Sequence, residues 1–451
     1  MDLILELFFV LSVISILYFL GFLHIKIFNL KNKCMNSSIS LFTLFFLVHI
    51  AGVTLLHIYV QFINPIPLWQ WGVGYGGDEI NFINYMKFYF KRFDIGNYGF
   101  DYLTYTTPGG YFHTASDYSV WVYLLAWLTY PISNSEITIY FVPKLLSSFF
   151  ISLTCFYTVL FAKKISNSLN IKLLVIFLLL TPDFYYLASG VFRAPIIAYS
   201  FIMVLFLAKM EKNKLELRSI LYFLPFLCFI LLWLLPNLKI FLNLLLICII
   251  IAILISQNRW TFVAVSIIGL SLLVFNSEFF LKIITLLSHD SYGSLAKRLF
   301  NINTPNLENG IGHYLLNQNY FFYFLSNILQ FFITIPFWAP MTAYVNEARA
   351  PIETIVILIA HFSMSLLLPG LLSLKKNAPK TYLWILYPII FYSFSMCLTG
   401  TVLIRWRLPI MSLIVLLISV GFQAHYTKLK ISYFIGLIGL YLLYFVLKGN
   451  Y

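Results

Sequence analysis

Charged residues are scarce in this chain of 451 residues and make up only 10% of it. Soluble globular domains carry about 25% charged and roughly 45–50% apolar residues, whereas 61% of this chain is hydrophobic. A water-soluble fold cannot cover that much apolar surface. Stretches long enough to cross a bilayer, about 17–25 apolar residues, recur along almost the whole chain, and each can span only as an α-helix. The composition therefore predicts an all-α polytopic membrane protein with about 12–14 apolar helices.

Cysteine is also rare, and the start of the chain lacks the signals of a cleaved leader. The five cysteines are scattered, and four of them lie in or at the ends of apolar runs, so neither a disulfide framework nor a zinc site is indicated. The first apolar stretch, residues 3–23, follows Asp2 and Glu6 where a secretory signal would be basic. We therefore expect it to be a spanning helix.

The formal net charge of +13 does not indicate nucleic-acid binding, because more than half of the basic residues cluster in loops that follow apolar runs. These loops hold 16 of the 29 basic residues and two of the 16 acidic ones. By the positive-inside rule they face the cytoplasm. Their basic residues are Lys26, Lys31, Lys33, Lys163, Lys164, Lys172, Lys209, Lys212, Lys214, Arg218, Arg259, Lys375, Lys376, Lys380, Lys428 and Lys430.

The apolar runs and basic loops together predict a single membrane domain over residues 1–451, with the N-terminus outside. The expected spans are residues 3–23, 39–60, 137–162, 171–188, 191–208, 219–235, 239–256, 260–276, 351–374, 381–400, 408–424 and 431–447. Residues 118–131 are too short to cross and are predicted to be juxtamembrane. Residues 320–338 contain Asn327, Gln330 and Pro336, which leaves a span or a re-entrant segment open. Two polar segments, 61–117 and 277–319, become outer loops.

The first outer loop contains a stretch with helical periodicity. Its apolar side chains recur at intervals of three and four residues, while Lys87, Lys91 and Asp94 fall on another side. This spacing predicts an amphipathic helix lying on the membrane surface. The apolar positions are Phe82, Tyr85, Met86, Tyr89, Phe90 and Phe93.

Two acids, Asp78 and Glu79, stand at the start of that helix behind a glycine-rich segment, residues 72–77. In one interpretation Asp78 is the helix N-cap and Glu79 complements the helix dipole. In the other, a carboxylate at the lipid surface acts as general base and takes a proton from an acceptor hydroxyl while a lipid-linked sugar leaves.

Further along the loop come Asp101, His113 and Asp117, followed by an aromatic segment with Trp121 and Trp127. Polar groups beside aromatic rings are typical of sugar-binding sites. Trp and Tyr at a membrane also form interfacial belts, which is the structural alternative. His113 has no partner at metal-ligand spacing, so no metal ligand is assigned.

Several cations fall outside the cytoplasmic loops and so depart from the positive-inside bias. Arg193 lies between two apolar runs, Lys239 follows a short break, and Arg405 and Arg407 precede Pro409. A phosphate or pyrophosphate headgroup would offset such charges, since guanidinium binds it in a bidentate way. Snorkelling to ordinary lipid headgroups is the alternative. Arg298, in the charge-balanced second loop, is a further candidate for substrate binding on the acceptor side.

This order of features resembles the GT-C class of membrane glycosyltransferases over roughly residues 39–425. Gly77-Asp78-Glu79 is similar to the acidic motif of that family's first outer loop, and Arg405-Trp406-Arg407-Leu408-Pro409 is similar to its late R-x-R-x-P segment. The resemblance implies an inverting transfer from a polyprenyl-phosphate sugar, with Asp78 as base. Relatives often carry a second acid where this chain has Ala194 and Pro195, so the use of a divalent cation, and with it the cofactor, is left open.

The function expected is transfer of a sugar from a polyprenyl-phosphate donor to a glycan, lipid or protein acceptor at the outer face of a bacterial inner membrane. An O-antigen or capsule polymerase is the nearest alternative, although a second loop rich in arginine would favour it and this loop is charge-balanced. A flippase or transporter of lipid-linked glycans is a further alternative, and it would need ionisable groups or broken helices near the bilayer midplane.

Overall fold

The computed structural model describes residues 2–28, 35–59, 77–98, 104–106, 112–114, 119–132, 136–166, 169–190, 194–210, 328–329, 331–343, 349–398 and 404–449. Helices make up nearly all of this part of the chain, as the composition predicts. The described exception is a short antiparallel pair in the first polar loop, β1 (Thr104–Thr106) and β2 (Phe112–Thr114), in which Tyr105 is paired with His113.

Contacts divide the chain into two compact units, which are described separately. The first contains the described residues up to Tyr157 together with 179–203. Its elements are α1 (Asp2–Phe28), α2 (Met35–Ile58), α3 (Gly77–Asp94), the strand pair, α4 (Ser119–Thr129) with a 3₁₀ turn (Tyr130–Ile132), most of α5 (Glu136–Ile165), α7 (Pro182–Ala188) and the first part of α8 (Ala194–Met210).

The second unit contains the end of α5, most of α6 (Ile171–Leu180), the end of α8, and the described residues from 328 onward. Its further helices are α9 (Ala339–Ala343), α10 (Arg349–Met364), α11 (Leu367–Asn377), α12 (Pro379–Leu398), α13 (Ile404–Gln423) and α14 (Thr427–Gly449).

Five described segments are helical, long and apolar enough to cross a membrane: Leu7–Lys26, Ser37–Ile58, Ile139–Ile165, Ala350–Asn377 and Thr427–Val446. They match the spans expected at residues 3–23, 39–60, 137–162, 351–374 and 431–447. These helices are consistent with a multi-pass membrane protein. The spans expected at residues 219–235, 239–256 and 260–276, and the second outer loop, lie outside the described residues.

The span expected at residues 171–188 is broken into α6 and α7, which are bent by 45° relative to each other. Pro182 explains the break, since it starts α7 and supplies no backbone N–H to continue α6. Asp183, in the first turn of α7, is 2% exposed. The helices α8 (Ala194–Met210) and α13 (Ile404–Gln423) cover most of the spans expected at 191–208 and 408–424.

Both segments whose span status the sequence leaves in question prove not to be continuous spanning helices. Residues 119–129 form only the 11-residue helix α4. Residues 333–338 are not helical, and Phe331, Ile335 and Pro336 are buried. A non-helical backbone at membrane depth requires protein partners for its polar groups, and α13 and α14 supply them, as shown below.

Hydroxyl side chains within the helices bond to their own backbone. The hydroxyls of Ser12, Thr43, Thr54 and Ser200 each donate to the carbonyl oxygen four residues earlier, at 2.7–2.9 Å. In lipid such a group has no water to bond. Serine and threonine are thereby accommodated in apolar spans without breaking them.

Two glycines bring α11 and α13 into backbone contact. A methyl group at Gly370 would clash with the carbonyl oxygen of Leu417, and one at Gly421 would clash with the carbonyl oxygen of Leu366. Small residues allow this close approach, which drives helix association in membranes through packing. This glycine crossing fixes the pair around which the second unit is built.

Candidate functional site

The acidic pair lies within the first turn of α3, because that helix begins at Gly77. Asp78 is therefore the second residue of the helix, and the N-cap position is residue 76, two positions earlier. Carboxylates in a first turn still complement the helix dipole. His113 lies in β2 and Arg405 in the first turn of α13; Asp101, Asp117, Arg193, Lys239 and Arg298 lie outside the described residues.

The amphipathic character of α3 is confirmed. All six predicted apolar side chains are buried, from Tyr89 and Met86 at 0% to Tyr85 and Phe90 at 7% exposure, while Lys91 and Asp94 are exposed. The buried face packs on α4, with ring centroids of Tyr89 and Tyr123 5.2 Å apart. The apolar face is thus turned to protein, and the place of α3 at the membrane surface stays a prediction.

A lysine within a membrane span is the first residue that sequence reasoning missed. Lys144 lies in the segment Ile139–Ile165 of α5 and is 0% exposed. A charge taken out of water costs several kcal/mol, and charges inside spans tend to mark functional pathways. The signal was present in the sequence as the one cation within the apolar run 137–162.

His57, the last residue but one of the span in α2, lies within electrostatic range of this lysine. Its ring centroid is 4.7 Å from that of Phe141, its side chain is 5% exposed, and the charge of Lys144 acts on its imidazole. Neither ring nitrogen of His57 makes a hydrogen bond within the described part of the chain. We call Lys144 and His57 the cationic pair. It lies where α2 leads into the first polar loop.

The two arginines predicted to bind phosphate both belong to α13. Positions two apart in an α-helix lie about 200° apart around its axis, so 405 and 407 lie on different sides of the helix. Arg407 is 2% exposed, and its assignment to phosphate binding stays a prediction. Its Nη1 donates to the carbonyl oxygen of Phe332 at 3.4 Å. Phe332 is the last helical residue before segment 333–338, and Pro336, four residues on, has no backbone N–H to donate to its carbonyl oxygen.

A hydrogen-bond network continues from the same segment. The backbone N–H of Phe337 donates to the hydroxyl oxygen of Tyr441 at 3.0 Å, and that hydroxyl lies 3.1 Å from Nε2 of His361. Nδ1 of His361 lies 2.8 Å from the carbonyl oxygen of Ile357. A carbonyl only accepts, so Nδ1 carries a proton; in the neutral ring Nε2 then accepts from Tyr441. The network is satisfied throughout with His361 uncharged.

Buried ionisable groups are therefore present in both units. Besides Lys144, Asp183 and Arg407, Glu353 in α10 is 5% exposed. In the described residues no three His, Cys, Asp or Glu side chains are grouped so that they could hold a metal ion. The described cysteines, Cys155 and Cys397, are buried and are not joined by a disulfide.

No known protein family, no curated protein and no solved structure matches this chain.

Proposed function

We propose that the protein is a membrane glycosyltransferase that transfers a sugar from a polyprenyl-phosphate donor to a glycan, lipid or protein acceptor. In this proposal the polar loop 61–117 faces the outside of a bacterial inner membrane. The observation that carries it is the cationic pair, which combines a lysine in the span of α5 with an imidazole at the end of α2.

The hydrogen-bond donors of the cationic pair suit a phosphate group. An ammonium group supplies up to three donors and a full positive charge, and an imidazole supplies a further N–H. Hydrogen bonds between ionised partners are about twice as strong as neutral ones. A polyprenyl phosphate carries its anionic headgroup on a lipid, so a lysine within a span suits it better than it suits a soluble anion.

The acids are supplied by the next element. Asp78 and Glu79 begin α3, which follows the helix that carries His57, and α2 and α3 belong to the same unit. Asp78 is the proposed base, and Glu79 positions the acceptor or a cation. Arg405, Arg193, Lys239 and Arg298, with Asp101, His113 and Asp117, are the proposed substrate-binding residues. Arg407 belongs to the same proposed set, and its Nη1 also donates to the carbonyl oxygen of Phe332.

The test separates phosphate binding from turnover. Purified protein in nanodiscs is offered polyprenyl phosphate or the uncharged polyprenol of equal chain length, and native mass spectrometry counts the bound lipid. We expect binding of the phosphate to exceed that of the alcohol, and Lys144→Gln to abolish the preference. Lys163→Gln is the matched control, because Lys163 is an exposed lysine of the same helix.

Turnover is followed in proteoliposomes that contain a polyprenyl-lipid extract, as release of polyprenyl phosphate. Base catalysis contributes about 10²- to 10⁴-fold, so Asp78→Asn should lose that factor and keep the phosphate preference. If Asp78→Asn turns over normally while Asp78→Ala only destabilises the protein, the base lies at Glu79, Asp101 or Asp117. Equal binding of phosphate and alcohol by the wild type would refute the proposed donor site.

Transport of a lipid-linked glycan is the second candidate, and a specific observation favours it. The 45° break between α6 and α7 at buried Asp183, and the non-helical segment 333–338, are features that transporters use at their binding sites. Proteoliposomes that contain a fluorescent lipid-linked sugar distinguish the two functions. Movement between leaflets without sugar transfer would establish the transporter.

A further inference from the structure

Two exposed aromatic rings lie side by side just beyond the C-terminal end of α3. Tyr98 is 48% exposed and Trp127 of α4 is 44% exposed, and their ring centroids are 5.6 Å apart. Beneath them lies the buried ring of Phe93, stacked on Tyr98 at 5.5 Å and 5.1 Å from Trp127. We call Tyr98 and Trp127 the aromatic ledge.

The ledge is held in place by the backbone. After α3 the chain turns through Gly96, whose φ is 76°, with the N–H of Asn97 donating to the carbonyl of Arg92 at 2.9 Å. The hydroxyl of Tyr123 donates to the carbonyl of Tyr98 at 2.6 Å and ties the turn to α4. The two rings are therefore a preformed surface.

A carboxylate stands beside the rings. Asp94, the last residue of α3, is exposed, and its Oδ1 accepts a hydrogen bond from the hydroxyl of Tyr130 at 2.9 Å. That hydrogen bond raises the pKa of Tyr130, so the phenol stays a donor at neutral pH. The bond orients the carboxylate and uses only Oδ1.

Exposed flat rings with an oriented carboxylate fit a sugar better than a lipid tail. A pyranose presents an apolar C–H face to an aromatic ring and hydroxyl groups to a carboxylate. Hydrocarbon would have to cover Asp94 and leave its charge without water, which costs several kcal/mol. Headgroups that surround an interfacial aromatic belt are the other setting for such rings, and the experiment distinguishes it.

We propose that Tyr98, Trp127 and Asp94 bind a sugar ring of an extended glycan. Asp78 and Asp94 are 16 positions apart in α3, which is about 24 Å along a helix that rises 1.5 Å per residue. The ledge therefore cannot hold the sugar that reacts at Asp78. It holds a distant unit of the acceptor, an assignment that rests on the proposed transferase function and narrows the acceptor class to oligosaccharides of several units.

The first experiment measures glycan binding without catalysis. Full-length protein in nanodiscs is titrated with maltohexaose, cellohexaose and chitohexaose, and binding is followed by saturation-transfer NMR. We expect saturable binding of at least one of these probes, at least tenfold weaker in Trp127→Ala and in Tyr98→Ala and several-fold weaker in Asp94→Asn. Thermal unfolding of each variant identifies any that fails to fold.

The matched control is Phe88→Ala. Phe88 is 40% exposed and belongs to the same helix, but it lies near Arg92, whose guanidinium is 5.9 Å from its ring centroid. Its replacement should leave binding unchanged. If none of the three probes binds saturably, or if Phe88→Ala weakens binding as much as Trp127→Ala, the ledge is not a sugar site.

A second measurement tests the lipid alternative. In vesicles of brominated phosphatidylcholine, the difference in fluorescence between the wild type and Trp127→Phe isolates the emission of Trp127. We expect little quenching; strong quenching would place the ring among acyl chains and overturn the proposal. Asp78→Asn should keep full probe binding, because the ledge lies far from Asp78. If the wild type binds glycans but shows no sugar transfer, the transferase proposal is refuted while the ledge remains a sugar-binding site.

Discussion

At the scale of residues, the hydroxyl of Tyr441 connects a backbone N–H of the non-helical segment with the imidazole of buried His361. It accepts from the backbone N–H of Phe337 and lies within hydrogen-bond distance of Nε2 of His361. The hydroxyl of Tyr433 donates to the carbonyl oxygen of His361 at 2.9 Å. Two tyrosines of α14 thereby hold α10 and the non-helical segment in one arrangement.

We expect Tyr441→Phe to destabilise the protein, because it leaves one buried donor and one buried acceptor without their partner. Each buried unsatisfied group costs roughly 1–3 kcal/mol, and the partial burial of Tyr441 favours the lower end. The measurement is thermal unfolding in detergent. Tyr426→Phe, just before the same helix, is the control and should unfold like the wild type. Equal unfolding temperatures for both variants would contradict the network.

The two arginines of α13 lie on different sides of the helix and have different surroundings. A bidentate contact with phosphate favours arginine over lysine at an exposed site, and Arg405 remains a candidate for it. Arg407 is buried at the carbonyl of Phe332, so its truncation removes packing and a backbone partner together. Loss of function in an Arg407 variant therefore reports on folding as well as on a donor lipid.

At the scale of elements, the contact of α11 with α13 depends on the absence of two side chains. The backbone atoms of Leu417 and Leu366 occupy the space that a Cβ would need at Gly370 and Gly421. The atoms in the way are backbone, so they cannot rotate aside as a flexible side chain would. The helices would have to separate.

Gly370→Ala and Gly421→Ala should each destabilise the protein by about 1–3 kcal/mol, the usual cost of overpacking a close-packed interior. Gly436→Ala and Gly439→Ala are matched controls in α14, because no atom lies within 4 Å of a Cβ at either position. Since alanine favours helix over glycine, the controls should be neutral or slightly stabilising. Chemical or thermal unfolding in detergent compares the four, and equal effects would show that the crossing is not close.

The glycosyl-transfer proposal also depends on elements more than on single residues. The cationic pair exists only because α2 and α5 pack side by side, and the aromatic ledge exists only because the end of α3 packs against α4. Each site therefore combines side chains of two neighbouring elements. Loops alone would not hold those groups at fixed distances.

At the scale of the whole molecule, the distribution of charge predicts which side of the membrane each loop faces. The described lysines of the basic loops include Lys163, Lys164, Lys375 and Lys376, all exposed at or near helix ends. The acidic pair and α3 are expected on the opposite side. Both chemistry and access to an outer acceptor depend on this orientation.

Cysteine labelling in intact cells tests the orientation. In a background without the five native cysteines, Asp78→Cys and Asn84→Cys, both in α3, should react with a membrane-impermeant maleimide, because α3 is predicted outside. Lys164→Cys and Lys375→Cys should react only after the membrane is permeabilised. Labelling of positions 78 and 164 from the same side would overturn the topology and, with it, the outer-face reaction.

The sequence by itself determined the class of the protein, the positions of five spanning helices and the buried face of α3. These follow from local quantities: the length of an apolar run against the thickness of a bilayer, and the 3.6-residue period of a helix. Both quantities are properties of neighbouring residues. The lone lysine in the span of α5 was also visible, although its neighbour was not.

Only the tertiary structure decided what each polar group meets. It places His57 within electrostatic range of Lys144, packs the apolar face of α3 on α4, and places Arg407 at the carbonyl oxygen of Phe332. It also shows that residues 333–338 are not a helix, and that Tyr441 bonds the backbone N–H of Phe337 within that segment. These outcomes depend on side chains far apart along the chain, and no local pattern encodes which of many distant partners a buried group will find.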